Sequence, residues 1–442
     1  MAAGQSNPNN PYECWNTTNY EHARDPNLND IHNALDYDPY GQPILRTNLS
    51  NVDTTSNDRL KVSQKQISFY NTSLYDLGTD VWDYSTTLGA TATHDSNKQA
   101  CVLSSSATTN SEVVRQTKRV MNYVPGRPVE FSLAFQVQQA TGARTRVGVF
   151  DTMNGIYFEK DENNVFWCVI RSSGTGSVVE NRVSRDNWNG DKLDGTGPSG
   201  ITVPPGKIQM IKFEYEWYGA GAVSISFIID SHRHTIHTFH TANRESISWA
   251  STPFFPARME IKNISATAES YLTLYSTSFA MEATSTILGV PKITGIPLPG
   301  LNLATAFTYV PTVSIRLKSD QLNAVAFLEE VQAFTTDNTF LTFRIYKNAT
   351  LSNGGTLTWT DFMSSGSSVQ VNTDATSFTG GEVVALGVVP LNGRPYMLDG
   401  NTGVFQIGRT SMGTVSDVFT LALSPAKNNV TALGTLRWRE QR

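Results

Sequence analysis

Four histidines stand close together at His232, His234, His237 and His240, and imidazoles at that density raise the question of a transition-metal site. A His-x-His pair supplies two zinc ligands when a third arrives from a neighbouring strand. Strand parity divides this group, because alternate residues share a face. His234 and His240 face one way, His237 the other, and His232 falls in the turn Asp230-Ser231-His232-Arg233. A polar strand whose imidazoles pair across to neighbours is the simpler reading, with stacking about a trimer axis as an intermediate one. No metal and no cofactor is expected.

Glu214 and Glu216 are the second chemical temptation. They share one face of a strand, and glycoside cleavage uses two carboxyls roughly 5–10 Å apart. Lys212 lies on the same face, however, and no wider acidic pattern surrounds them. A solvated strand face is expected, with no catalytic residue. The loop from Gly190 to Gly200 is Gly-rich but lacks the Gly-Lys-Ser/Thr ending of a phosphate cradle. Asp191 and Asp194 lack EF-hand spacing for calcium, so turn chemistry is the plainer role. The three cysteines, Cys14, Cys101 and Cys168, make neither a disulfide framework nor a zinc spacing.

Two further groups point to assembly. Residues 1–60 are rich in Asn, Asp, Pro and Tyr and cannot bury a core, yet carry Tyr12, Trp15, Tyr20, Tyr37 and Tyr40. Aromatics on such an arm suggest anchors that dock on a neighbour, with a floppy terminus the alternative. At the other end, Arg437, Trp438 and Arg439 combine cations with an indole, suited to an acidic patch on another subunit or to phosphate, with a solvated tail the alternative.

The elements that must position these residues read as strands. Between 208 and 217, Gln209, Ile211, Phe213, Tyr215 and Trp217 form one face, and Ile208, Met210, Lys212, Glu214 and Glu216 the other. A hairpin runs from Ile156 to Glu159, turns at 161–164 and returns from Val165 to Ile170. Many short strands with Gly, Asn and Asp turns predict an all-β chain built of sandwiches. The predicted order is an extended arm over 1–60, a jelly-roll β-sandwich over 61–284, a Pro/Gly linker over 285–312 and a smaller β-sandwich over 313–442. The stretch 323–332 is either a strand pair or one short helix.

Composition sets the outer limits. The 442 residues carry 34 basic and 39 acidic side chains, a net charge of −5, and only 17% are charged, against about 25% in ordinary domains. This balance disfavours a protein that coats nucleic acid. No apolar run is long enough for a membrane span, and the start Met1-Ala2-Ala3-Gly4-Gln5-Ser6 is unlike a secretory signal. The charge deficit is expected mainly on outward strand faces, where Ser, Thr, Asn and Gln stand instead.

Three blocks carry a resemblance. They are Arg146-Val147-Gly148-Val149-Phe150-Asp151 through Glu159, Trp188-Asn189 through Gly200, and Phe213-Glu214-Tyr215-Glu216-Trp217-Tyr218-Gly219 through Asp230. Together they resemble a module in structural proteins of tailed bacteriophages, and Val313 through Thr410 is similar to the segment that commonly follows it. The texture is also similar to lectin-like jelly rolls. The resemblance covers roughly 120–442 and implies a virion component of tail, baseplate, fibre or capsid surface. It implies partners among copies of the chain, as a trimer for instance, and other virion proteins, with no nucleic acid or membrane. The expectation is therefore a non-enzymatic structural protein of the virion, made in the host cytoplasm. A carbohydrate-binding module for attachment to host surface glycans is the alternative, and a glycan-degrading enzyme the second alternative.

Overall fold

The computed structural model describes residues 35–37, 43–45, 65–282, 289–390, 396–398, 405–413 and 415–441. The chain divides into two compact units, Met1–Thr54 and Thr55–Arg442. In the first, Leu35–Tyr37 pairs antiparallel with Pro43–Leu45. The proposed anchors Tyr12, Trp15, Tyr20 and Tyr40, and the side chain of Tyr37, lie outside the described residues, as does most of the predicted arm.

The second unit is all-β and begins with a jelly-roll sandwich. One sheet has seven strands, in the order Val179–Ser184, Phe166–Ser172, Gly155–Lys160, Ala143–Phe150, Ala257–Asn263, Glu112–Thr117 and Trp82–Thr87. The facing sheet runs His232–Phe239, Val223–Ile229, Gln209–Tyr215, Val129–Gln138, Ser270–Glu282, Ala100–Ser105 and Thr91–Asp95, with Lys65–Thr72 also paired to Ser270–Glu282. Every pairing among the described residues is antiparallel. Period-2 patterning explains the layering. In Val129–Gln138 the residues Val129, Phe131, Leu133, Phe135 and Val137 are buried, while those between them are half-buried. Phe158 then packs on Phe166 of its own sheet and on Phe227 across the interior, with ring centroids 5.3 and 5.4 Å apart.

The second, smaller sandwich follows. Its first sheet is centred on the long strand Val430–Gln441, which pairs with Val290–Gly295, Leu301–Leu303 and Val325–Thr335. Its second contains Val310–Leu317, Val418–Pro425, Leu341–Lys347 and Glu382–Val389. These pairings correct three expectations. The segment 285–312 is not only a linker: Val290–Gly295 and Leu301–Leu303 are strands, since Ile293 and Leu303 take ladder positions opposite Arg437 and Val430. The ambiguous stretch 323–332 enters one strand, Val325–Thr335, at its third residue. The Arg437-Trp438-Arg439 group is no projecting tail. Trp438 is fully buried, and Arg437 and Arg439 pair with Glu330 and Glu329 of the neighbouring strand.

The two sandwiches share a core. Val325 and Phe327 of the second belong to the apolar cluster of the first. The Gln406 side chain accepts from the Val120 N–H at 2.9 Å and donates to its carbonyl at 3.0 Å, and Arg409 pairs with Asp151.

Candidate functional site

A cavity of about 660 Å³ opens where the two sandwiches meet, within the usual size range of small-molecule sites. The first sandwich contributes Tyr123, Trp217 and Phe254, with Ser251 and Thr252; the second contributes Gln321, Asn323, Ala324, Ser368, Glu440 and Gln441. Trp217 follows strand Gln209–Tyr215 and opens a tight turn. Tyr218 and Gly219 take φ of +40° and +79°, and the Gly221 N–H closes on the Trp217 carbonyl at 2.8 Å. A Cβ at Gly221 would stand 1.5 Å from the Glu216 carbonyl oxygen, so only glycine fits. The Trp217 indole donates to the Ala250 carbonyl at 3.1 Å, which fixes the ring. Tyr123 stacks on Tyr215 with centroids 6.2 Å apart and meets Trp217 edge-on at 6.4 Å. Its hydroxyl accepts the Tyr218 N–H, and burial pushes its pKa up, so the phenol stays neutral.

The opposite wall is polar but well organised. The Glu440 carboxylate accepts hydrogen bonds from the Ser367 hydroxyl (2.5 Å), the Ser368 N–H (2.9 Å) and the Trp438 indole (2.9 Å). The Ser368 hydroxyl and the Gln441 amide oxygen have no hydrogen-bond partner among the described residues. Ser251 and Asn323 are exposed at the rim. The result is an aromatic floor with hydrogen-bonding groups around it. None of this was legible as a site in sequence, because Trp217 and Gln441 come together only through the docking of two folded bodies.

The residues singled out in sequence are placed elsewhere. His234 and His237 lie in strand His232–Phe239, whose pairing shifts by one residue opposite Ile225 and Ser226. The bulge brings His237 opposite core Ile225, where it is buried and 4.5 Å from the Phe239 ring, edge-on. Burial and then the charge of His240 lower its pKa to about 4, consistent with a neutral ring accepting the Asn189 N–H. Among the described residues no group of three His, Cys, Asp or Glu side chains is placed to hold a metal ion. Asp191 accepts the Leu193 and Ser199 N–H groups, at 2.9 and 2.8 Å, which is turn chemistry. Glu214 and Glu216 are both 1% exposed instead of solvated. Glu214 lies 3.5 Å from Arg233, and its cross-strand neighbour Glu130 binds Lys212 and Lys65. A sugar has no access to this pair.

The outward face of the seven-stranded sheet corrects the expected charge distribution. It carries a lattice of Arg and Glu. Buried Glu159 lies between Arg146 and Arg182, and Glu260 between Arg146 (3.0 Å) and Arg258 (2.8 Å). Glu180 accepts from Tyr157 at 2.7 Å and Arg171 at 2.8 Å. Burial alone would raise the Glu180 carboxyl. The bonds from Tyr157 and Arg171 and the charges of Arg146 and Arg171 bring it down to about 2. Burial likewise opposes the Glu260 carboxylate, and the charges of Arg258 and Arg146 hold it below the ordinary range. A general acid needs a raised pKa; the carboxyls of Glu180 and Glu260 shift the other way and fasten strands together.

No protein-family model matches the chain, and no curated protein does. Solved structures similar to part of it include an endo-β-1,4-glucuronan lyase from the fungus Trichoderma reesei, with a TM-score of 0.31, 14% identity, and 50% of this chain and 96% of that one covered. A Bacillus licheniformis β-glucanase gives a TM-score of 0.32 and 10% identity over 48% of this chain and 96% of that one. The laminarinase catalytic domain of Thermotoga maritima gives 0.36 and 8% over 50% and 100%. The expectation of a non-enzymatic chain, which rested on the phage resemblance and the lack of a catalytic signature, is contradicted by this finding, for glucanases and a lyase are among the solved structures similar to part of the chain. What they share with this chain is an all-β, jelly-roll sandwich.

Proposed function

We propose that the protein is a carbohydrate-binding, host-attachment module whose sugar site is the cavity between its two sandwiches. One observation carries this reading: a ligand-sized cavity pairs the rings of Trp217, Tyr123 and Phe254 with hydroxyl and amide side chains at its rim and opposite wall. A pyranose has an apolar face of C–H groups and an equator of hydroxyls. Aromatic rings held in place offer large apolar contact without loss of side-chain freedom on binding, and the rim supplies hydrogen bonds. The likeness of residues 120–442 to structural proteins of tailed phages supports placing the module on a virion, among copies of itself.

Binding to an array of bacterial surface polysaccharides tests the reading. The intact protein is expected to bind at least one glycan, and Trp217→Ala to weaken that binding by about tenfold or more, equivalent to about 1.4 kcal/mol. Binding to none, or undiminished binding by a folded Trp217→Ala variant, would overturn it. The same incubations, read for new reducing ends, separate binding alone from glycan cleavage. Immunogold labelling of intact particles checks the virion setting, where label on particles is expected.

A further inference from the structure

We infer that the cavity selects uncharged sugars and turns away uronic-acid and sulfated ones; this rests on the glycan-binding reading above. The argument is electrostatic. None of the described residues lining the cavity is Lys, Arg or His, and one, Glu440, is a carboxylate. Glu440 is 3% exposed and accepts from Ser367, Ser368 and Trp438, all neutral donors. Those bonds orient its negative charge without cancelling it. A second anion brought against this wall would shed its hydration and gain no cation from the described lining residues in return, and desolvating an unpaired charge is costly. Like charges a few ångströms apart in a poorly screened cavity add repulsion. An uncharged pyranose meets neither penalty, and its apolar face finds Trp217 and Phe254. Discrimination here comes from a repulsive element as much as from contacts.

The test compares matched polymers: a neutral β-glucan, a neutral galactan, a glucuronan and a sulfated galactan, each titrated into the full chain by calorimetry at low and high salt. The neutral polymer of a pair is expected to bind at least about tenfold more tightly, with little change between salts, since no ion pair is formed. Asn323→Lys places a cation at the exposed rim, where only the main-chain carbonyl of Asn323 has a bonding role, toward Thr252. This variant is expected to fold normally and to gain several-fold for the anionic polymers, with the gain lost at high salt. Equal or tighter binding of glucuronan or sulfated galactan by the unaltered protein would overturn the inference while leaving glycan binding standing. Failure to bind any polymer would overturn the glycan reading itself.

Discussion

At the scale of single residues, two adjacent serines make opposite contributions. The Ser367 hydroxyl donates to the buried Glu440 carboxylate, whereas the Ser368 hydroxyl is buried without a partner among the described residues. Removing a donor from a buried charge leaves that charge underbonded, at a cost of about 1–3 kcal/mol. Removing a hydroxyl that bonds nothing relieves a desolvation penalty. Ser367→Ala should therefore lower the urea midpoint clearly, and Ser368→Ala should leave it unchanged or raise it. Equal losses in both would refute this assignment. Residue-level reading of the sequence succeeded for direction and failed for burial. Parity placed Lys212 and Glu214 opposite Phe213, which is fully buried. It could not show that Lys212 and Glu214 are themselves closed to solvent, because parity counts faces and not what covers them. The histidines show a second limit: a one-residue bulge moved His237 toward the interior, and a bulge leaves no mark in a period-2 count.

At the scale of elements, the alternation from Gln209 to Tyr215 and the hairpin of Gly155–Lys160 with Phe166–Ser172 were legible, because half-buried antiparallel strands show their periodicity directly. Val290–Gly295 was not. Its Pro291 and Gly295 mark a connector, yet it is an outer strand of its sheet, where missing donors are tolerated. The Arg–Glu lattice on the seven-stranded sheet sets an acid limit on stability. Glu180 has a folded pKa of about 2 against an ordinary 4.5. A depressed folded pKa means the unfolded chain binds the proton first as pH falls. The stabilisation is thus complete above about 4.5 and disappears as pH drops toward about 2. Arg171→Met should flatten that part of the stability curve, measured by urea unfolding at a series of pH values. A slope as steep as in the unaltered protein would show that the lattice contributes nothing there.

At the scale of the whole molecule, the two sandwiches of residues 55–442 are joined by apolar core as well as by polar contacts. With Val325 and Phe327 packed in the core of the jelly roll, neither body is complete alone. Calorimetry of the unit Thr55–Arg442 should show one cooperative transition, with van't Hoff and calorimetric enthalpies in agreement. A neutral glycan that binds should move that single transition upward, since any ligand of the folded state adds stability by mass action. Two resolved transitions, with only one moved by ligand, would contradict the shared core. The junction was the part least legible in sequence, because it depends on contacts such as Gln406 to Val120, which no local pattern encodes.

The strand Val430–Gln441 has a consequence in time as well as in space. It is the common partner of segments beginning at residues 290, 301 and 325, each made long before it. During synthesis those segments leave the ribosome as unpaired edges, which are prone to pair with other chains. The wall that bears Glu440 and Gln441 exists only once residues 430–441 have emerged. A nascent chain stalled before that point should thus lack the cavity wall and bind no ligand there, which ribosome-bound chains of stepped length would show.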